Sequence, residues 1–194
     1  QDFLDDEKEF GWINLNYGAY CEQHNELNRA ISLYKSAELT FSENRSRWEQ
    51  LISVLHRARL HQRLQQWRDA QAAYLSAIRM AENQHDVLTL AELHFELGNV
   101  YLELDEPLDA WLHWEDAAAS YLTLQDSLRA AQLYVRLGTL AIDQGFPNSA
   151  TNFLETGRSL AKSLQQRSLL AESNRKLGRA AEAKVAPEQA IAYY

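Results

Sequence analysis

What the chain lacks narrows its chemistry first. Of 194 residues only Cys21 is a cysteine, so no internal disulfide and no multi-cysteine zinc site can form, and cysteine usage does not fix a redox compartment. No apolar run approaches the roughly 20 residues that cross a bilayer, and no charged segment followed by an apolar one opens the chain as a leader would. No membrane role is expected. The sequence has no G-x-x-x-x-G-K-[ST], no H-E-x-x-H and no glycine-rich strand-to-helix turn, which removes the usual phosphate, metalloprotease and dinucleotide sites. Cys21 and His24 stand at i, i+3 but supply only two of the three or four ligands zinc requires, and read as a packed cysteine and a surface histidine. His56 and His61, five apart on one helix, point to different faces. No cofactor, no metal and no catalytic residue are expected.

Proline and glycine are scarce as well, and their placement is periodic. The three prolines, Pro107, Pro147 and Pro187, are 40 residues apart, and Gly18, Ala58, Gly98, Gly138 and Gly178 keep the same spacing. Ala30, Ala70, Ala110, Ala150 and Ala190 form a third register, and Tyr34, Tyr74, Trp114, Leu154 and Tyr194 a fourth of large apolar residues. Four registers agreeing over five copies mark a supersecondary unit stacked on copies of itself. The copies fall at about 9–46, 47–86, 87–126, 127–166 and 167–194, the last incomplete, and read together as one solenoid domain.

Within a copy the spacing is helical. Ala91, Phe95, Gly98 and Leu102 recur at i, i+4, i+7 and i+11 and define a helix A. The segment Asp105-Glu106-Pro107 ends it, and proline suits the first turn of a helix B because its missing N–H has no intrahelical partner there. Helix B carries Ala110, Trp114, Ala117 and Tyr121 in the same pattern. By translation, A helices lie near 9–22, 48–63, 87–104, 127–143 and 167–184, and B helices near 27–41, 67–83, 107–123, 147–163 and from 187 onward. A glycine inside a helix costs about 1 kcal/mol against alanine, so its periodic use implies close packing. Gly98 is expected to meet Ala110 where A and B cross, leaving Tyr34, Tyr74 or Trp114 to face the next copy. Trp48, Trp67 and Trp111 read as core aromatics, with Trp111 reaching the convex side. The acidic opening (Asp2, Asp5, Asp6, Glu7 and Glu9) reads as a solvated or frayed cap.

The pattern Leu97-Gly98-x-x-Tyr101, then Ala110, Trp114 and Ala117, resembles the tetratricopeptide repeat, and the match runs from Gly11 onward. The period departs from the family, 40 here against about 34 in the commonest form. It is similar to the longer tetratricopeptide-like repeats of regulatory scaffolds, and the added length is expected in both helices and the B-to-A turn. The resemblance implies an all-α, right-handed superhelical solenoid of antiparallel helix hairpins. It also implies a non-catalytic scaffold that binds a protein or peptide on a concave wall of A helices. The alternative is a sensory or regulatory module of a larger bacterial-type signalling or transcription-regulating protein.

On that resemblance the concave positions are Trp12 and Asn16 in copy one, His56, Arg59 and Arg63 in copy two, and Glu92, Glu96, Asn99 and Glu103 in copy three. Copy four adds Arg136 and copy five Arg175, Lys176 and Arg179, with Trp12 and Phe95 as apolar contacts. The carboxylate clamp of chaperone-binding members is not supported, because its first-copy positions are Leu15 and Ala19. Charge is banded: eleven acids and no lysine or arginine lie between Ala81 and Ser127, while copies two and five are basic. Such a wall fits an extended peptide of mixed charge. The same charges would also neutralise one another across the wall, each exposed pair contributing about 0–1 kcal/mol, and both readings stay open. A net charge of −8 without a continuous basic stripe argues against direct nucleic-acid binding.

Helix B of the fifth copy would have only about eight residues before Tyr194, too few to hold on propensity. The natural protein is therefore expected to continue, and the raw end to self-associate or fray. Gln1 at the start implies a cut chain or a mature product; the cytoplasm is favoured, with a periplasmic or secreted site if a leader was removed.

Overall fold

The computed structural model describes residues 2–184, with side chains from Lys8 onward. Among the described residues there are nine α-helices and no strand: α1 (Asp2–Gln23), α2 (Leu27–Glu43), α3 (Arg47–Arg63), α4 (Trp67–Glu82), α5 (Val87–Glu103), α6 (Pro107–Thr123), α7 (Ser127–Asp143), α8 (Pro147–Ser163) and α9 (Arg167–Ala183). The A helices are α1, α3, α5, α7 and α9. The acidic opening belongs to α1, which starts at Asp2 instead of near residue 9. Pro187, Ala190 and Tyr194, and with them the incomplete fifth hairpin and its expected self-association, lie outside the described residues.

Each connection is built on one device, which the sequence does not advertise. Asn25, Arg45, Gln65, His85, Asp105, Gln125, Gly145 and Gln165 follow one another at 20-residue intervals, and all have left-handed backbone angles, φ from +56° to +77°. In the first turn the Asn25 N–H donates to the Glu22 carbonyl (3.1 Å) and the Glu26 N–H to the Cys21 carbonyl (2.8 Å). This pair of bonds closes the helix end and satisfies carbonyls that would otherwise lack partners. Glu26 is at the same time the residue that opens α2. The same bonds recur at Ser46, Gln66, Glu106, Asp126, Phe146 and Gln166. The 40-residue period is thus twice 20, and three of the four B-to-A turns (44–46, 124–126 and 164–166) have the same length as the A-to-B turns, while the fourth, 83–86, is one residue longer. The expected lengthening of the B-to-A turn is therefore confined to that one place, because both kinds of turn use the same cap.

The chain divides into two compact units, Gln1–Asp86 and Val87–Tyr194. In the first, α1 to α4 pack each on the next. Leu15, Cys21, Tyr34, Phe41 and Leu60 form its core with Ala30 and Ala37. In the second, α5 to α9 pack in the same serial way, and α7 also touches α9. Val135, Ala141, Leu154 and Leu177 lie at the centre of its core. An isolated helix of 17 residues is marginal in water, so each one is held by the apolar stripe it buries against its neighbours.

The glycine register has a different partner from the one its spacing suggests. A Cβ on Gly18 would come within 2.7 Å of the Tyr34 ring; one on Gly98 would overlap the Trp114 indole, and one on Gly138 would overlap Leu154. The space left by the missing side chain on helix A is filled by the large register of helix B in the same hairpin, four residues beyond the alanine. Ala110 is fully buried, but it is not what Gly98 makes room for. Polar tips finish the contact: the Tyr34 hydroxyl donates to Glu22 (3.0 Å), the Tyr74 hydroxyl to Gln62 (2.6 Å), and the Trp114 N–H to the Phe95 carbonyl (3.2 Å). Tyr34 also reaches the following copy, stacking on His56 of α3 with ring centroids 4.8 Å apart.

Two of the tryptophans also depart from expectation. Trp48 is half exposed instead of buried in the core. Trp111 does not stand free on the convex side: it is half-buried, edge-on to Phe146 (5.9 Å) and Phe153 (5.2 Å), and its N–H donates to Glu115 (2.9 Å).

Candidate functional site

In the first unit the predicted residues gather in part. Arg63 pairs with Glu22 at 2.8 Å, and His56 lies 3.7 Å from the same carboxylate while stacked on Tyr34. Burial pushes the His56 imidazole below its ordinary pKa; Glu22 opposes this and Arg59 reinforces it. Glu22, which collects Tyr34, His56 and Arg63, has no counterpart among the predicted residues. Its role depends on α1 and α3 meeting, which no local pattern announces. Asn16 and Arg59 are exposed, and Trp12, also exposed, sits edge-on to Phe41 at 5.6 Å. Cys21 is fully buried, and the His24 Nδ1 donates to the Tyr20 carbonyl (2.8 Å).

The second unit contains an open groove of about 870 Å³. Its wall is made by α7 and α9: Gln132, Arg136, Thr139 and Asp143 recur along one face of α7, and Glu172 and Lys176 line it from α9. Phe95 and Leu102 of α5 and Leu169 of α9 supply apolar surface, and Trp114 and Tyr121 of α6 close the floor.

Charge inside this groove is only partly neutralised. Arg129 is committed: it pairs with Asp126 (2.8 Å) and Glu92 (3.3 Å) and lies over the Tyr121 ring at 5.2 Å. Tyr121 is in turn held above its ordinary pKa, chiefly by burial. Asp126 also caps α7 by accepting from the Arg129 backbone N–H (3.0 Å). Arg136 lies over the Phe95 ring at 5.2 Å. Neither Arg136 nor Lys176 has a carboxylate partner among the described residues. Arg179 reaches Asp143 at 3.8 Å on the rim.

Of the predicted concave residues, then, Phe95, Arg136 and Lys176 line the groove. Glu92 is tied to Arg129 at its edge, Asn99 donates to Glu96 (3.3 Å), and Glu96, Asn99 and Glu103 stand outside the lining, as does exposed Arg175. Leu102, read only as part of the helix A pattern, and Leu128 and Leu169 carry no binding expectation in the sequence, because a leucine on a helix reads first as core. Yet Leu102 and Leu128 are 37% and 40% exposed, which marks them as groove surface.

No protein-family model and no curated protein matches the sequence. Solved structures match the fold. BtubC (BKLC) from P. vanneervenii superposes with a TM-score of 0.72 at 18% identity, over 91% of this chain and 73% of that one. YrrB, a TPR protein with an unusual peptide-binding site, gives 0.69 at 16% identity, over 99% of this chain and 87% of that one. The apo form of RapI gives 0.78 at 15% identity, covering 94% of this chain, which spans about half (51%) of RapI. Likeness at such low identity establishes the fold, an array of tetratricopeptide-like helical repeats.

Proposed function

We propose that the chain is a non-catalytic protein-interaction scaffold and that the groove walled by α7 and α9 receives an extended peptide of mixed charge. The observation that carries this reading is the pair Arg136 and Lys176, two cations without carboxylate partners set beside the apolar surface of Phe95, Leu102 and Leu169. A wall serving only its own stability would pair such charges internally. Cations left unpaired on a partly apolar surface give an acidic residue of a ligand both long-range attraction and a place to dock. Glu172 on the same wall disfavours a uniformly acidic ligand. An apolar side chain between two polar or charged residues, at least one of them acidic, fits best.

The peptide-binding site of YrrB supports the general mode. A second reading is a sensory module of a larger regulatory protein; a kinase, cyclase or DNA-binding domain on the same natural chain would favour it. The test of the first reading is selection of binders from a random peptide library on the immobilised chain, followed by competition with Arg136→Glu and Lys176→Glu proteins. Enrichment of acidic-apolar sequences that the variants fail to hold supports the groove. Sequences held equally by wild type and variants would place binding elsewhere.

A further inference from the structure

Away from the groove, the hairpin of α5 and α6 brings together three groups that the scaffold reading does not use. His94 of α5 and His113 of α6 approach with their Nδ1 atoms 2.9 Å apart, and Asp116 of α6 places Oδ2 3.6 Å from His94 Nδ1. One ligand atom from each of the three lies within 4.8 Å of the other two. His113 and Asp116 are at i, i+3 and so share a helical face, and His94 meets that face from across the hairpin. None of the three lines the groove.

We propose that His94, His113 and Asp116 form a site for a divalent transition metal of the zinc type, bridging α5 to α6. Two imidazole nitrogens and one carboxylate oxygen are a donor set that zinc accepts, with water in the remaining position. Two nitrogens bound to one tetrahedral zinc at bonds of 2.0–2.1 Å sit about 3.3 Å apart. The observed 2.9 Å therefore has to open by a few tenths of an ångström and the 3.6 Å from His94 to Asp116 to close by about as much, while the third separation, His113 to Asp116, starts within 4.8 Å. Asp116 is the ligand that has to move furthest, and its exposed side chain is the one with room to turn. Tyr101 stacks on the His113 ring at 5.2 Å with planes 9° apart and fixes its orientation. His94 is largely covered, whereas the Asp116 side chain is 64% exposed, which provides the path by which an ion enters from solvent.

A bound ion would link residues 19 apart in sequence across two helices and so stabilise the third hairpin against opening. The competing account of the same geometry is a plain hydrogen bond between two neutral imidazoles, and the two differ in what added metal does.

The test is titration of the whole chain with Zn²⁺ by calorimetry at pH 7.5, with Co²⁺ absorption as a second readout of the ligand set. One ion per chain is expected, with a rise in melting temperature that EDTA reverses. His94→Gln and His113→Gln should each weaken binding about tenfold or more. Asp116→Asn, at an exposed position, should weaken it too and shift the Co²⁺ spectrum, while His24→Gln and His61→Gln change neither. Absence of saturable binding by the wild type overturns the proposal. So does undiminished binding by the His94→Gln/His113→Gln double variant, which would place the ion elsewhere.

Discussion

Trp114 lies across Gly98 so closely that a single added methyl group on the glycine would overlap the indole ring. The tryptophan is all but buried there, and its N–H is held by the Phe95 carbonyl one turn earlier on the same helix as the glycine. This contact, repeated as Gly18 with Tyr34 and Gly138 with Leu154, is what clasps helix A to helix B in each of those hairpins. It gives the periodic glycines their purpose. Gly98→Ala should therefore destabilise the chain by about 1–3 kcal/mol. At about 2–4 °C per kcal/mol for a protein of this size, the melting temperature should fall by several degrees.

Copy two contains the natural answer to that clash. Ala58 and Tyr74 occupy the same registers, and both are buried. Adding Trp114→Tyr to Gly98→Ala reproduces this pair and should recover part of the loss, so the double variant should be more stable than the sum of the single effects. Strict additivity in thermal melts would show that the two positions do not share one contact.

Gly145 offers a test of the turns. Its φ is +77° and nothing lies within 4 Å of where a Cβ would be, so Gly145→Ala is penalised by backbone conformation alone. A loss of about 1 kcal/mol is expected. The reverse change, Gln125→Gly, relieves the same penalty but loosens the unfolded chain, and should gain no more than a few tenths of a kcal/mol. Denaturant midpoints of the two variants check both signs.

His56 introduces a pH dependence. Its pKa is depressed in the folded chain, mainly by burial, so between that value and the unfolded one near 6.5 the unfolded state binds more protons. Stability from this group is fully present above about pH 6.5 and is lost progressively as pH falls from there through the lower folded value. The charged and titratable groups around it are Glu22 of α1, Tyr34 of α2 and Arg59 of α3. Glu22 favours protonation and so limits the effect. Melts of wild type and His56→Gln between pH 7.5 and 5.5 should diverge, the variant losing less on acidification.

Helix types and the boundaries of α2 to α9 were legible to within a residue or two because they rest on strong local signals: proline at the start of α6 and α8, an alanine register and a register of large apolar residues, aromatic except for Leu154 among the described residues; the start of α1 was not. The turns were not. Seven of the eight left-handed residues are Asn, Arg, Gln, His or Asp instead of glycine, so the cap that sets the 20-residue half-period leaves no compositional mark. Arg136 and Lys176 were named beforehand only through the resemblance to the tetratricopeptide repeat, which assigns wall positions on the A helices; helical spacing by itself does not say which face of an A helix is open. Glu22 was not, because its partners Tyr34, His56 and Arg63 come from two other helices. The meeting of His94 with His113 was hidden for the same reason: His113 has carboxylates near it on its own helix, Asp109 and Asp116, but His94 belongs to the other helix of the hairpin, and only the hairpin brings the two rings together.

The central claim is that the groove walled by α7 and α9 is the peptide-binding surface, and amide chemical-shift mapping with a library-selected peptide tests it most directly. The account predicts saturable shifts concentrated at Phe95, Gln132, Arg136, Thr139 and Lys176, weakened by added salt. It also predicts affinity roughly tenfold lower (1.4 kcal/mol) in Arg136→Glu and Lys176→Glu, with Arg175→Glu, outside the groove, near wild type. Shifts centred instead on the exposed Leu108 and Leu112 of α6, with binding untouched by the two reversals, would contradict it.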